Sequence, residues 1–293
     1  MAEGKIIKAL SGFYYVLSEG KVIQCRGRGV FRKQKITPLV GDYVLFEASS
    51  QTDGYIMEVR ERKNELVRPP IANVNQAILV FSAVEPDFSS ILLDRFLVLV
   101  ESKKIRPIIV INKMDLLSGK TKPIVEGYIR DYRHIGYDVI ATSTVTKSGV
   151  EQLLPYLEGR ISVFAGQSGV GKSSLLNALR PGLNLKTNDI STHLGRGKHT
   201  TRHVELIEIG GGLVADTPGF SALEFNDLEE GQLPLCFPEF LERSHECKFR
   251  GCTHMSEPKC AVKKALEAGD IPAYRYNHYV SFMEEIKERK TRY

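Results

Sequence analysis

Residues 166–173 read Gly166-Gln167-Ser168-Gly169-Val170-Gly171-Lys172-Ser173, with Ser174 next in line. The spacing is G-x-x-x-x-G-K-S, a phosphate-binding P-loop, which needs a buried strand before it and a helix after it. Residues 160–165 (RISVFA) and 173–179 (SSLLNAL) supply both. Gly166, Gly169 and Gly171 let the backbone approach phosphates with its N–H groups turned inward. The helix N-terminus adds a favourable dipole. Lys172 is expected to reach the β- and γ-phosphates and the Ser173 hydroxyl to hold Mg²⁺.

Working upstream, Asn112-Lys113-Met114-Asp115 closes the apolar run 107–111 (PIIVI). This is NKxD, placed where α/β folds bind ligands, at a strand C-terminus. Asp115 would accept hydrogen bonds from the guanine ring N–H and exocyclic amine, which adenine lacks, and Lys113 would lie along the base. After a further strand at 137–141 (YDVIA), Thr142-Ser143-Thr144 resembles the loop whose backbone meets the guanine oxygen, with Ser143 as the expected contact. Downstream, Asp216-Thr217-Pro218-Gly219 follows a strand at 212–215 and reads DxxG. Asp216 would orient a Mg²⁺-bound water, and the Gly219 N–H would meet the γ-phosphate. Between P-loop and DxxG, residues 195–202 (GRGKHTTR) form a basic, glycine-punctuated loop. A threonine here, Thr201 in preference to Thr200, is expected to complete the Mg²⁺ shell.

The order of these motifs is unusual. An ordinary GTPase runs from P-loop to NKxD, whereas here NKxD precedes the P-loop, giving 4-5-1-2-3. The chain is a circular permutation, cut after DxxG and before the fourth strand, with every core element retained. A glutamine often follows DxxG to orient the attacking water; here the position is Phe220. Slow intrinsic hydrolysis is expected, with the water oriented by another residue, His199 or His203.

Cys247-x4-Cys252-x-His254-x5-Cys260 brings three cysteines and a histidine close in sequence. The spacing points to one structural Zn²⁺ held by a tetrahedral Cys₃His set. Lys248, Arg250 and Gly251 suit a knuckle turn that stabilises thiolates, while Cys25 and Cys236 read as packing residues.

The 293 residues carry 26% charged and 42% hydrophobic side chains, as globular proteins do. The start (MAEGKIIK) has no signal-peptide run. No apolar stretch approaches the length of about 18 that a membrane helix needs. A cytoplasmic location, no membrane and a monomer are expected. Net charge is only +5, so any nucleic-acid contact must come from local patches.

Three regions follow. Residues 1–66 show short apolar runs at 12–17, 20–24, 40–46 and 54–59, the pattern of a small OB-like barrel. Lys21, Arg26, Arg28, Arg32, Lys33 and Lys35, interrupted by Phe31, fit either a strip tracking RNA or a solvated basic hairpin. Arg68-Pro69-Pro70 reads as a linker. Residues 71–222 alternate strand and helix, an α/β doubly wound GTPase domain. Helices are expected at 89–104, 122–134 and 149–157. Residues 223–293 carry the zinc motif and helices at 258–268 and 272–290, ending in a second basic cluster.

An OB-like barrel, a GTPase in 4-5-1-2-3 order and a Cys-x4-Cys-x-His-x5-Cys domain together resemble the bacterial ribosome small-subunit-dependent GTPase A family, over nearly the whole chain. The resemblance implies GTP as substrate, GDP as product, and the small ribosomal subunit with its rRNA as partner. It further implies a role in late subunit maturation and hydrolysis stimulated by the subunit. The competing reading is a GTP-dependent switch for a protein partner with no RNA contact.

Overall fold

The computed structural model describes residues 1–29, 31, 36–67, 69–183, 204–215 and 223–291. The N-terminal barrel is closed by five strands: β1 (Ala2–Leu10), β2 (Phe13–Ser18), β3 (Lys21–Gly27), β4 (Tyr43–Ala48) and β5 (Gly54–Val59). Their order is β1-β2-β3-β5-β4, with β4 returning to β1 and β3 running parallel to β5. Closure removes exposed edges. The apolar runs at 12–59 marked only four strands. The fifth, β1, hides its signal because Gly4 and Ile6 are its only buried positions. Phe31, expected within the basic strip, is 5% exposed and packs inside.

The Arg68-Pro69-Pro70 stretch was expected to be a linker. Around it, β6 (Glu65–Val67) and β7 (Pro70–Ala72) pair as a tight hairpin; Arg68 itself lies outside the described residues. The hairpin is tied back to the barrel. Arg62 donates to both Asp42 oxygens at 2.7 Å, and Asn73 Nδ2 donates to Gly41 O at 3.1 Å.

The central sheet has the order β10-β9-β8-β11-β13-β12. Its strands are β8 (Gln76–Ser82), β9 (Arg106–Asn112), β10 (Asp138–Ala141), β11 (Ile161–Ala165), β12 (Leu206–Ile209) and β13 (Gly212–Ala215). All neighbours are parallel except the β12–β13 hairpin. All seven residues of β8 are buried, as expected of a strand covered on both faces. The period of two divides it: Leu79 and Phe81 face the core shared with the barrel's Ile6, Val16 and Phe46, while Ile78 and Val80 face Leu153, Leu157, Leu175 and Leu176.

Helices α1 (Ser90–Ser102) and α2 (Thr121–Ile135) connect β8 to β9 and β9 to β10. Ser89 Oγ caps α1 by accepting from the Leu92 N–H. The helix expected at 149–157 is instead a 3₁₀ turn, Val150–Leu153, leading into a single α-turn, α3 (Leu154–Leu157). Pro155 suits a first turn but withholds the N–H that a longer helix would use. Helix α4 (Lys172–Leu179) follows the P-loop.

A separate apolar core builds the C-terminal part from a 3₁₀ turn (Leu233–Cys236), α5 (Pro238–Ser244), α6 (Ala261–Ala268) and α7 (Ala273–Thr291). It is joined to α1 by a buried charge cluster. The fully buried Arg275 donates to Asp94 at 2.5 Å and to Glu239 at 2.7 and 3.1 Å. Asp94 also receives Tyr132 Oη at 2.6 Å and pairs with His278 at 2.6 Å. Burial alone would lower the Arg275 pKa; Asp94 and Glu239 outweigh it and hold the pKa well above the ordinary value. Arg289, expected in the basic C-terminal cluster, instead donates inward to the carbonyls of Phe225 and Leu228.

Candidate functional site

β11 lies between β8 and β13, where the strand order reverses. Ligands of open α/β sheets bind outside the strand C-termini at such a point. The P-loop leaves β11 there. A side chain on Gly166, at φ +138, would collide with the Val80 carbonyl, so the turn admits only glycine. Gly171 sits at φ +97 directly before α4, and a side chain there would strike the Asn112 amide.

That amide is the hinge pin of the site. Asn112 is fully buried at the end of β9. Its Nδ2 donates to Val170 O at 3.0 Å, and its Oδ1 accepts from Thr142 Oγ1 at 3.1 Å. One side chain thus binds the P-loop to the NKxD loop and to the loop after β10. Met114 N–H donates to Thr142 O at 3.1 Å, which sets the register of the 3₁₀ turn carrying Asp115. Val170 is buried beneath the loop.

A cleft of about 360 Å³ opens above these groups, large enough for a ligand of nucleotide size. Asn112, Lys113, Asp115, Ser168, Gly169, Gly171, Lys172, Ser173 and Ser174 all line it. The Asp115 carboxylate receives no hydrogen bond from any described residue. Lys172 Nζ donates to Gly166 O at 2.8 Å and to Gln167 O at 2.5 Å. Burial pushes its pKa down to about 8. Among the described residues this cation is held by carbonyl dipoles alone, and in a buried site it is poised for an anion.

Ser143 is fixed within its own loop. Its N–H donates to Ser148 O at 2.9 Å, and its Oγ accepts from Thr146 N–H at 3.0 Å, which leaves the hydroxyl proton to donate. Thr144, of the expected 142–144 loop, lines the cleft, as do Val145 and Leu116. Thr201, His199, His203, Asp216, Gly219 and Phe220 lie outside the described residues.

The second cluster is the Cys₃His set. The ligand atoms of Cys247, Cys252, His254 and Cys260 all lie within 4.8 Å of one another. His254 Nδ1 is 3.7 Å from Cys247 Sγ and 3.3 Å from Cys260 Sγ. A tetrahedral ion at Zn–S and Zn–N bond lengths of about 2.3 and 2.0 Å separates its ligands by about 3.5 Å, so the donors fit zinc. Outer contacts hold the turn. Tyr276 Oη donates to His254 O at 2.7 Å, and Tyr279 Oη donates to Thr253 O. Glu257 accepts from the N–H groups of Thr253, Met255 and Ser256. Burial would raise that carboxyl, but the hydrogen bonds win and take it down to about 2. Lys248 lies 5.4 Å over the Phe249 ring, with Phe249 exposed. Among the described residues no helix is long and apolar enough to cross a membrane.

Comparisons with known proteins agree with this arrangement. A family model described as RsgA GTPase matches residues 59–226, and one described as RsgA N-terminal domain matches 3–56. The chain is 82% identical, over the full length of both, to a protein of Geobacillus sp. (strain WCH70) named "Small ribosomal subunit biogenesis GTPase RsgA". It matches the crystal structure of YloQ, described as a circularly permuted GTPase, with a TM-score of 0.88 and 59% identity over 100% of this chain and 97% of that one. The crystal structure of YjeQ from Thermotoga maritima matches with a TM-score of 0.88 and 40% identity, over 97% and 98%. The chain therefore belongs to the RsgA GTPase family and is a GTP-hydrolysing enzyme with a circularly permuted GTPase fold.

Proposed function

We propose that this GTPase binds the small ribosomal subunit and assists its late maturation, hydrolysing GTP to GDP and phosphate with the subunit as stimulator. The observation that carries the proposal is the full-length match to a relative named for small-subunit biogenesis, at 82% identity. The working units are residues 1–66, 71–222 and 223–293. The protein acts as a cytoplasmic monomer.

Within the site, Asn112, Lys113, Met114 and Asp115 select guanine, and residues 166–174 cradle the phosphates. The loop of Thr142, Ser143 and Thr144 meets the guanine oxygen. Lys172 meets the transferred phosphate's charge. Ser173 and Thr201 would hold Mg²⁺, which would supply positive charge to the phosphates. Asp216 and Gly219 sense the γ-phosphate, and His199 or His203 orients the water that Phe220 cannot. Cys247, Cys252, His254 and Cys260 hold one Zn²⁺ that fixes the C-terminal fold.

The barrel offers an RNA surface. Phe13, Arg26 and Tyr55 stand opposite one another on β2, β3 and β5. Arg26 lies 5.1 Å over Phe13, and Tyr55 is 44% exposed. Rings beside a cation suit stacked bases and a phosphate backbone. Lys21 and Arg28 are exposed nearby in sequence; Arg32, Lys33 and Lys35 lie outside the described residues.

Sedimentation with purified small subunits over a salt series tests the reading. Binding is expected to fall steeply with salt, and Arg26→Glu with Arg28→Glu is expected to weaken it and flatten the slope. Salt-insensitive binding untouched by charge reversal would favour the protein-switch reading instead.

A further inference from the structure

The connection between β8 and α1, residues 83–88 (AVEPDF), belongs to none of the GTPase motifs. It nevertheless reaches the nucleotide cleft. Glu85 sits at φ +56, in the left-handed region that long side chains avoid, and Lys113 faces it at φ +60. Two such residues persist only where their surroundings dictate the backbone, and such strain gathers at working sites. The Lys113 ammonium donates to the Glu85 carbonyl. Pro86 stands beside the P-loop, its Cδ 3.8 Å from where a Gly169 side chain would begin.

The connection is fastened at both ends. Ser82 Oγ, in a buried residue, donates to Pro86 O at 2.5 Å. The Phe88 ring packs with centroids 6.2 Å from Phe81 and 5.1 Å from Tyr128. Phe81 belongs to the core and Tyr128 to α2, so Phe88 anchors the loop to two rigid elements.

We infer that residues 85–88 form a seat that holds the Lys113 side chain across the cleft, and that Phe88 is a positioning residue for guanine-nucleotide binding, acting through Lys113. Lysine carries one of the largest rotamer entropies of any side chain. A lysine already tethered along the path of the base spends little of the binding energy on being ordered. Loosening the seat therefore weakens the nucleotide without touching the phosphate machinery.

A double-mutant cycle on the full chain decides it, read by titration with fluorescent GDP and by steady-state GTP hydrolysis. Phe88→Ala is expected to weaken GDP about tenfold and to raise KM with kcat at saturation unchanged. Phe88→Tyr, which keeps the ring, is expected to restore binding. The Phe88→Ala/Lys113→Ala double variant is expected to bind no more weakly than Lys113→Ala alone. Additive losses, an unaffected Phe88→Ala, an inert Lys113→Ala, or a fall in kcat at constant KM would each overturn the inference. Should Phe88→Ala fail to fold by circular dichroism, Pro86→Gly loosens the same seat and is read by the same criteria. Failure of the wild-type protein to bind GDP would instead overturn the assignment of the cleft.

Discussion

Replacing Arg275 with methionine removes the buried cation at the junction of α1, α5 and α7. Asp94 keeps two partners, Tyr132 and His278, each at 2.6 Å. Glu239 keeps none among the described side chains, since both its contacts are with Arg275. It is 3% exposed, so water cannot replace them. Leaving a buried charge without its partner costs about 3–5 kcal/mol. At about 2–4 °C per kcal/mol for a unit of this size, the melting temperature is expected to fall by about 6–20 °C. The chain has no tryptophan, so far-ultraviolet circular dichroism or tyrosine fluorescence is the assay. Adding Glu239→Gln to Arg275→Met replaces the stranded carboxylate with a neutral amide and is expected to recover about 1–2 kcal/mol. A loss below about 1 kcal/mol for the single variant, or a double variant less stable than the single, would show that Glu239 is not stranded by loss of Arg275.

Three further outcomes are expected. Lys172 has a free-enzyme pKa of about 8, and bound phosphates favour its protonated form. GDP affinity should therefore be insensitive to this group below pH 8 and fall by up to about tenfold per pH unit above it; a flat titration from pH 7 to 9.5 contradicts that. Asp115→Asn should weaken GTP by about two orders of magnitude and improve the xanthine nucleotide, which offers a carbonyl where guanine has its amine; competition binding reads the switch. Burial lifts the Glu101 carboxyl to about 7. Its folded pKa exceeds the unfolded value, so it costs stability as pH rises from about 4.5 through 7. Glu101→Gln should make the protein more stable at pH 8 with little change at pH 4, as chemical denaturation at the two pH values would show.

Much of the site was legible because its chemistry demands fixed spacings. Four-residue NKMD, the eight-residue P-loop and the Cys₃His run each sit in one short segment, so sequence proximity stands in for spatial proximity. The sheet was legible for a related reason: seven consecutive buried residues in β8 leave little alternative to a covered strand. What escaped was long-range or carried by backbone. Strand β1 has two buried positions in nine, too few to set a period. Asp94 and Arg275 lie 181 residues apart and meet only through the fold. The Ser143 N–H is claimed by Ser148 O, a pairing set by the shape of the loop. The seat at residues 85–88 acts through a main-chain carbonyl, which any residue there carries.

Steady-state GTP hydrolysis with and without purified small subunits, with Lys172→Ala as the control, decides whether the protein is a ribosome-activated GTPase. Slow turnover alone, an increase of about one to several orders of magnitude with subunits, and loss of both with Lys172→Ala are expected. Turnover that the subunit leaves unchanged would contradict activation by the ribosome.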